Sequence, residues 1–329
     1  MLTGLYNNLM RHAVAEELNN SKQNRKKNSY MKKTLLIVGC GDIALRTVRL
    51  LHTKYRIFGL FRNPGNTEQF RSLGVIPIQG DLDNPSSLKK LSGIAQTVIH
   101  LAPPPNQGKR DPRTTYLLAA LSKPERNKQT ILPQRLVYIS TSGVYGDCQG
   151  AMIDETRPLN PYNERAVRRV DAEKQIRKWG VRNHVVVSIL RVPGIYAETR
   201  LPLKRIRDGL PAFVSIDDGY TNHIHANDLA RIISMAIQHG KSGRAYNATD
   251  DTQMKMGDYF DLVADQFNLP HPPRIPREQA AGRISPSMLS FMNESRRISN
   301  TRMKKELQVV LQYPTVLEGV KDAVSKIDI

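Results

Sequence analysis

The sequence predicts an α/β fold built on a doubly wound parallel sheet, with a smaller C-terminal part. Three observations predict it. Short apolar runs recur between residues 34 and 190, interleaved with helix-patterned sequence. The first run ends in a glycine turn, Gly39-Cys40-Gly41, that opens a helical pattern. After about Val192 the alternation loosens, and prolines cluster at Pro270, Pro272, Pro273 and Pro276. Strands and helices alternating at this spacing are the mark of βαβ units and a parallel sheet.

The elements follow in order. Thr34 to Val38 reads as the first strand. Ile43, Ala44, Val48, Leu50 and Leu51 give the apolar stripe of the first helix, and Ile57 to Phe61 is the second strand. Val75–Ile78 and Thr97–Leu101 read as the third and fourth strands. A helix over Arg113–Leu121 precedes a fifth strand, Arg135–Ser140. Glu164 to Trp179 reads as a long helix stopped by Gly180, followed by a sixth strand over Val185–Leu190. Beyond it come helices at Asp228–His239, Met256–Phe267 and Asn300–Leu307, and a strand near Ala245–Ala248.

The chain has 329 residues, ample for a large core. Residues 1–30 read as a basic, disordered arm without a signal-peptide core, and Met31 is a plausible biological start. Residues 31–191 then form the first domain, and 192–329 a mixed region partly interleaved with its sheet. No apolar run is long enough for a membrane span. Two distant cysteines, Cys40 and Cys148, form no disulfide framework or metal-ligand spacing. A reducing, cytoplasmic setting is expected, with no metal. The net charge is +19. Such a field attracts anions, although scattered basic residues also read as solvated helix faces. Nucleic-acid signatures are missing from the sequence, so no specific nucleic acid is expected.

Gly39-Cys40-Gly41-Asp42-Ile43-Ala44 is a G-x-G-x-x-A pattern between a strand and a helix. Gly39 allows the tight turn, Gly41 admits a pyrophosphate to the backbone, and Ala44 permits close helix–strand packing. The anion then meets the free N–H groups of the helix N-terminus. A Rossmann-like dinucleotide-binding domain is the reading. The second strand ends in Phe61-Arg62-Asn63, with Arg62 at about the 20-residue spacing and no acid there. That favours NADP over NAD.

Further segments carry a resemblance: Gly80-Asp81-Leu82, Val98-Ile99-His100-Leu101-Ala102, Ile139-Ser140-Thr141-Ser142-Gly143-Val144-Tyr145-Gly146-Asp147, Arg191-Val192-Pro193-Gly194-Ile195-Tyr196 and His223-Ile224-His225-Ala226-Asn227-Asp228. With them the chain resembles the short-chain dehydrogenase/reductase superfamily, in its extended or atypical branch of NAD(P)-dependent epimerases and dehydratases. The resemblance runs from about Lys33 to Val320. It implies that Asp81, Leu82, Leu101 and Ala102 line the cofactor and that Thr141 holds the catalytic hydroxyl. Ser142, Tyr145 and Tyr196 are candidates to meet substrate.

The family's Tyr-x-x-x-Lys pair is not intact. In Pro161-Tyr162-Asn163-Glu164-Arg165-Ala166-Val167-Arg168-Arg169, one register supplies Tyr162 but puts Ala166 at the lysine position. The other puts Arg165 at the tyrosine position and Arg169 at the lysine position. Tyr162, Arg165 and Arg169 fall on one face if all three are helical. Arginine supplies positive charge but hardly ever deprotonates. His223 and His225 alternate on an expected strand and read as structural rather than as metal ligands.

The resemblance implies an NAD(P)-dependent oxidoreductase or epimerase acting on a carbonyl or hydroxyl, with an anionic small-molecule substrate such as a nucleotide sugar. The broken pair leaves open a non-catalytic protein that senses the dinucleotide.

Overall fold

Strands covered on both faces need apolar side chains at nearly every position, and the runs read above meet that demand. A computed structural model describes residues 32–63, 65, 67–123 and 131–326. The arm expected over 1–30 lies outside the described residues. Seven strands form the main sheet: β1 (Lys33–Val38), β2 (Tyr55–Phe61), β3 (Ile76–Gln79), β4 (Thr97–His100), β5 (Arg135–Thr141), β6 (Val186–Val192) and β7 (Arg244–Asn247). All neighbours are parallel, in the order β7-β6-β5-β4-β1-β2-β3. The Rossmann-like fold expected from the sequence is the fold found.

Alternate residues of each strand feed two cores. Leu35 and Ile37 of β1 face one core with Ala44, Val48 and Leu51 of helix α1 (Asp42–Leu51). Leu36 and Val38 face the other. There they meet Leu117, Leu118 and Leu121 of α2 (Pro112–Leu121), and Ala172, Ile176 and Trp179 of α3 (Glu164–Asn183). Sequence beyond residue 192 supplies β7 and α4 (Ala226–His239), whose Leu229, Ile232, Ile233 and Ala236 complete the first core. A third core gathers Tyr196, Ile206, Ala212, α5 (Met256–Gln266) and α6 (Val316–Val324).

The stop assigned to Gly180 needs correction. Helix α3 continues to Asn183 and ends at His184, which takes the left-handed conformation at φ 55°. Gly180 is instead a packing residue. A Cβ there would come within 2.7 Å of the Val187 side chain, so glycine lets α3 lie close to β6.

Candidate active site

Because every strand is parallel, all C-terminal ends lie along one edge of the sheet. Strand order reverses between β1 and β4, and such a switch point leaves a crevice. A cleft of about 400 Å³ opens there, lined by Gly39, Gly41, Arg62, Asp81, Leu82, Leu101 and Ala102 among others. Gly39 has φ +97°, and a Cβ on it would stand 2.5 Å from the Ala102 backbone nitrogen. Glycine is required there for conformation and for space. At Gly41 a Cβ would meet nothing within 4 Å. Gly41 is also the N-cap of α1 and provides no side-chain cap. That open space lies at the first turn of α1, whose unpaired N–H groups suit a pyrophosphate.

The remaining residues of the motif play other parts. Ala44 is buried between helix and sheet, and Ile43 packs against the same core. Asp42 does not line the cleft. Its carboxylate accepts from Arg46 Nε (2.9 Å) and pairs with Arg200 (3.0 Å), while Arg46 also reaches Glu198 (2.6 Å). The first turn of α1 is thereby tied to the segment after β6. Burial pushes the Cys40 thiol up to about 12, so it stays a neutral filler of the loop.

Arg62 has no ion-pair or hydrogen-bond partner among the described residues. Asp83, whose carboxyl feels its charge, is held by both arms of Arg113 at 2.7 and 2.6 Å. That fork keeps the Asp83 carboxyl below its ordinary range. Arg113 also lines the cleft. Sequence reasoning missed it, because no local pattern links it to a partner 30 residues away.

A second cavity, of about 420 Å³, opens at the ends of β5 and β6. Since β4 pairs with β5, the cleft and the cavity are neighbours on the same sheet edge. Thr141, Ser142, Arg165, Arg169 and Tyr196 all contribute to its wall. Thr141 Oγ1 accepts from the Gly143 N–H (3.2 Å), which leaves its own O–H free to donate. Arg169 is fixed by donating to Tyr138 Oη (3.0 Å) and the Ile139 carbonyl (2.8 Å). The Arg165 guanidinium lies over the Phe291 ring, 4.5 Å from its centroid.

Two candidates stand elsewhere. Tyr162 is 83% exposed and does not line the cavity. Asn163 explains why: its side chain accepts from the Ala166 N–H (2.9 Å) as the N-cap, so α3 starts at Glu164. Tyr162 precedes the helix and does not share the face of Arg165 and Arg169. Of the two registers, the one with Arg165 and Arg169 has its side chains on the cavity. Tyr145 is also displaced from its expected place. It is 1% exposed, donating to Asn247 Oδ1 (2.7 Å) and accepting from Arg191 (2.9 Å). Arg191 in turn is paired with buried Glu173 at 2.9 Å. Tyr145 belongs to this interior network, and burial pushes its hydroxyl up to about 12.

His223 and His225 lie on a short strand paired with Gly194–Tyr196. Both are buried and flank aromatic rings, His223 against Tyr259 (4.2 Å) and His225 against Tyr313 (4.0 Å). Burial lowers them to about 3 and about 4. Among the described residues no group of three His, Cys, Asp or Glu side chains is placed to hold a metal. No helix among them is long and apolar enough to cross a membrane.

Asp250 donates its N–H to the His223 carbonyl, and burial pushes its own carboxyl up to about 8. The folded chain therefore keeps a proton that the unfolded chain releases above about pH 4. This contribution is complete below that pH and is lost as pH rises through about 8, with a slope of up to roughly 1.4 kcal/mol per pH unit. Asp250→Asn is expected to remove this component. Urea unfolding of both proteins from pH 4 to 8 checks it: parallel stability curves would refute the assignment.

Comparison with known proteins agrees with this fold. A solved structure of a functionally unknown conserved protein from Silicibacter pomeroyi is 28% identical, with a TM-score of 0.74 over 90% of this chain and 99% of that one. The UDP-glucose 4-epimerase of Thermotoga maritima, solved with UDP-glucose, is 15% identical with a TM-score of 0.71, over 89% and 97% of the two chains, and shares the fold. Human dTDP-D-glucose 4,6-dehydratase is 25% identical over 135 residues, so the match spans 37% of this chain and 37% of that curated relative. The model of the NAD dependent epimerase/dehydratase family matches residues 41–249. With that match over more than half of the chain, from Gly41 at the end of the glycine loop through the Thr141 strand, the chain belongs to the NAD dependent epimerase/dehydratase family, within the extended short-chain dehydrogenase/reductase group.

Proposed function

We propose that residues 31–191 bind NADP(H) in preference to NAD(H), and that the chain exchanges hydride with a carbonyl or hydroxyl carbon of an anionic small molecule. A nucleotide sugar is the leading candidate, since the UDP-glucose epimerase and dTDP-glucose dehydratase above act on such compounds. Residues 192–329 contribute most of the substrate wall, and the cytoplasm is the expected setting. One observation carries this reading: Thr141, Arg165 and Arg169 line a single cavity beside the glycine cleft.

A nicotinamide held by the glycine cleft would supply or accept the hydride. The Thr141 hydroxyl donates to the reacting oxygen and orients it. Arg169, held from behind by Tyr138 and Ile139, favours negative charge as it builds on that oxygen. Neither arginine relays a proton as a tyrosine would, so the proton that the reacting oxygen gains or loses is exchanged with solvent in the cavity. In the cleft, Arg62 has no ion-pair partner among the described residues and is the cation that meets the 2′-phosphate.

A second reading is a dinucleotide sensor without chemistry. The outward position of Tyr162 favours it. A panel of carbonyl compounds and sugar nucleotides, followed by absorbance of the reduced nicotinamide, separates the two. Turnover supports the enzyme. Tight cofactor binding with no turnover across the panel supports the sensor.

Cofactor choice gives a sharper prediction. Arg62→Asp is expected to weaken NADP by about 10- to 100-fold, the range of a charge-assisted hydrogen bond of about 1.5–3 kcal/mol, while NAD changes little. Calorimetric titration of both cofactors checks this. An NADP/NAD ratio that is unchanged in the variant would remove Arg62 as the selector.

A further inference from the structure

Two ion pairs of opposite sense clamp the start of α1 to the chain after β6. Arg46 on the helix donates to Glu198 (2.6 Å), and Arg200 reaches back to Asp42 (3.0 Å). Glu198 and Arg200 stand in one turn, closed by the Arg200 N–H donating to the Ala197 carbonyl (2.9 Å). The clamp sums to zero charge, with two carboxylates against two guanidinium groups.

The two arginines are committed to different degrees. Arg46 uses all three nitrogens: Nε on Asp42 (2.9 Å), and the terminal pair on Asn227 (2.5 Å) and Glu198. Its side chain is 11% exposed. Arg200 is 38% exposed, lines the cavity, and has Asp42 as its one ion-pair partner among the described residues. Even that contact is incomplete. The Asp42 Oδ2 atom is buried yet accepts no hydrogen bond, although Arg200 stands 3.0 Å away. Charge alone holds the Arg200 fork there, and a guanidinium with five N–H donors has several left for another acceptor.

Asp42 directly follows Gly41, and its own N–H belongs to the first turn of α1. An anion gripped by that turn therefore lies well within a Debye length of the Asp42 carboxylate, about 10 Å at 0.1 M salt, and is repelled by it. Arg46 cannot offset this repulsion, because Glu198 and Asn227 share it. Arg200 can.

Building on the dinucleotide site read above, we propose that Arg200 is a further cofactor-binding residue, which meets the pyrophosphate from the substrate side while Asp42 competes for it. Affinity then follows the local charge balance. Without the arginine, Asp42 opposes the phosphates; without the carboxylate, the arginine is free for them. NAD and NADP share the pyrophosphate, so both effects ignore the 2′-phosphate, unlike the effect of Arg62.

Calorimetric titration of the full chain with NADP and with NAD, at low and at high salt, tests this. At low salt Arg200→Gln should weaken both cofactors by about tenfold, the scale of a charge-assisted hydrogen bond. Asp42→Asn should tighten both several-fold. Neither variant should change the NADP/NAD ratio, and both effects should shrink at high salt. The Glu198–Arg46 pair still closes the clamp in either variant, so melting temperatures should stay close to wild type. A purely structural ion pair behaves otherwise, since breaking it from either side weakens binding alike. Weakening in both variants, or unchanged affinity in Arg200→Gln, overturns the role of Arg200. Should Arg200→Gln fail to fold, Asp42→Asn decides: tighter binding supports that role, and weaker or equal binding overturns it. If the wild type binds neither cofactor, the cofactor reading itself falls. If it binds both and only the variant effects are missing, that reading stands without Arg200.

Discussion

Gly41→Trp is expected to fold normally and to lose NADP affinity by about 100-fold or more, or about 2.8 kcal/mol. The residue has φ −108°, which any side chain accepts, and a Cβ there meets no atom within 4 Å. An indole would extend into the cleft, where the pyrophosphate must approach the backbone. Gly39→Ala is the contrasting case. At φ +97° a side chain costs about 1–2 kcal/mol before the clash with the Ala102 backbone is counted. That variant should lose thermal stability as well as cofactor. Calorimetric titration and thermal melts separate the two effects. Unchanged NADP affinity in folded Gly41→Trp would remove the cleft from the account.

The second large effect concerns the chemistry. Once a turning-over substrate is in hand, Thr141→Val should lower kcat by about 10²–10³, the range for loss of a preorganised donor to a charged oxygen. The change keeps the side chain's shape and removes both the O–H and the acceptor for Gly143. Tyr162→Phe should leave kcat and KM unchanged, because its side chain faces solvent. Steady-state kinetics of the two variants gives a direct comparison. A severe loss in Tyr162→Phe would mean that the loop before α3 folds inward during catalysis.

The sheet was legible because parallel strands covered on both faces show up as uninterrupted apolar runs, and Gly39 and Gly41 punctuate the first of them. The residues proposed to hold the cofactor came from the glycine pattern and the family resemblance, and in the fold they stand at strand ends, where a parallel sheet presents them. Other features depend on partners far away in the chain. Tyr145 stands in a strand-end motif that suggests a pocket, yet its hydroxyl is claimed by Asn247 and Arg191, 102 and 46 residues away. The two registers around Tyr162 were equivalent in sequence. Asn163 caps α3 and so leaves Tyr162 outside the helix that carries Arg165 and Arg169, and its side chain is also anchored to Glu294, 131 residues on. Asp42 belongs to the motif by sequence but to Arg46 and Arg200 by contact. Arg200 lies in a segment that carries no pattern of its own.

The most direct test of the central claim is a crystal structure of the chain soaked with NADP. The pyrophosphate is expected against Gly41 and the 2′-phosphate at Arg62. The nicotinamide should lie beside Thr141 and Arg169, with Tyr162 still turned to solvent. A nicotinamide contacted by Tyr162, or a dinucleotide bound away from the Gly39–Gly41 loop, would contradict it.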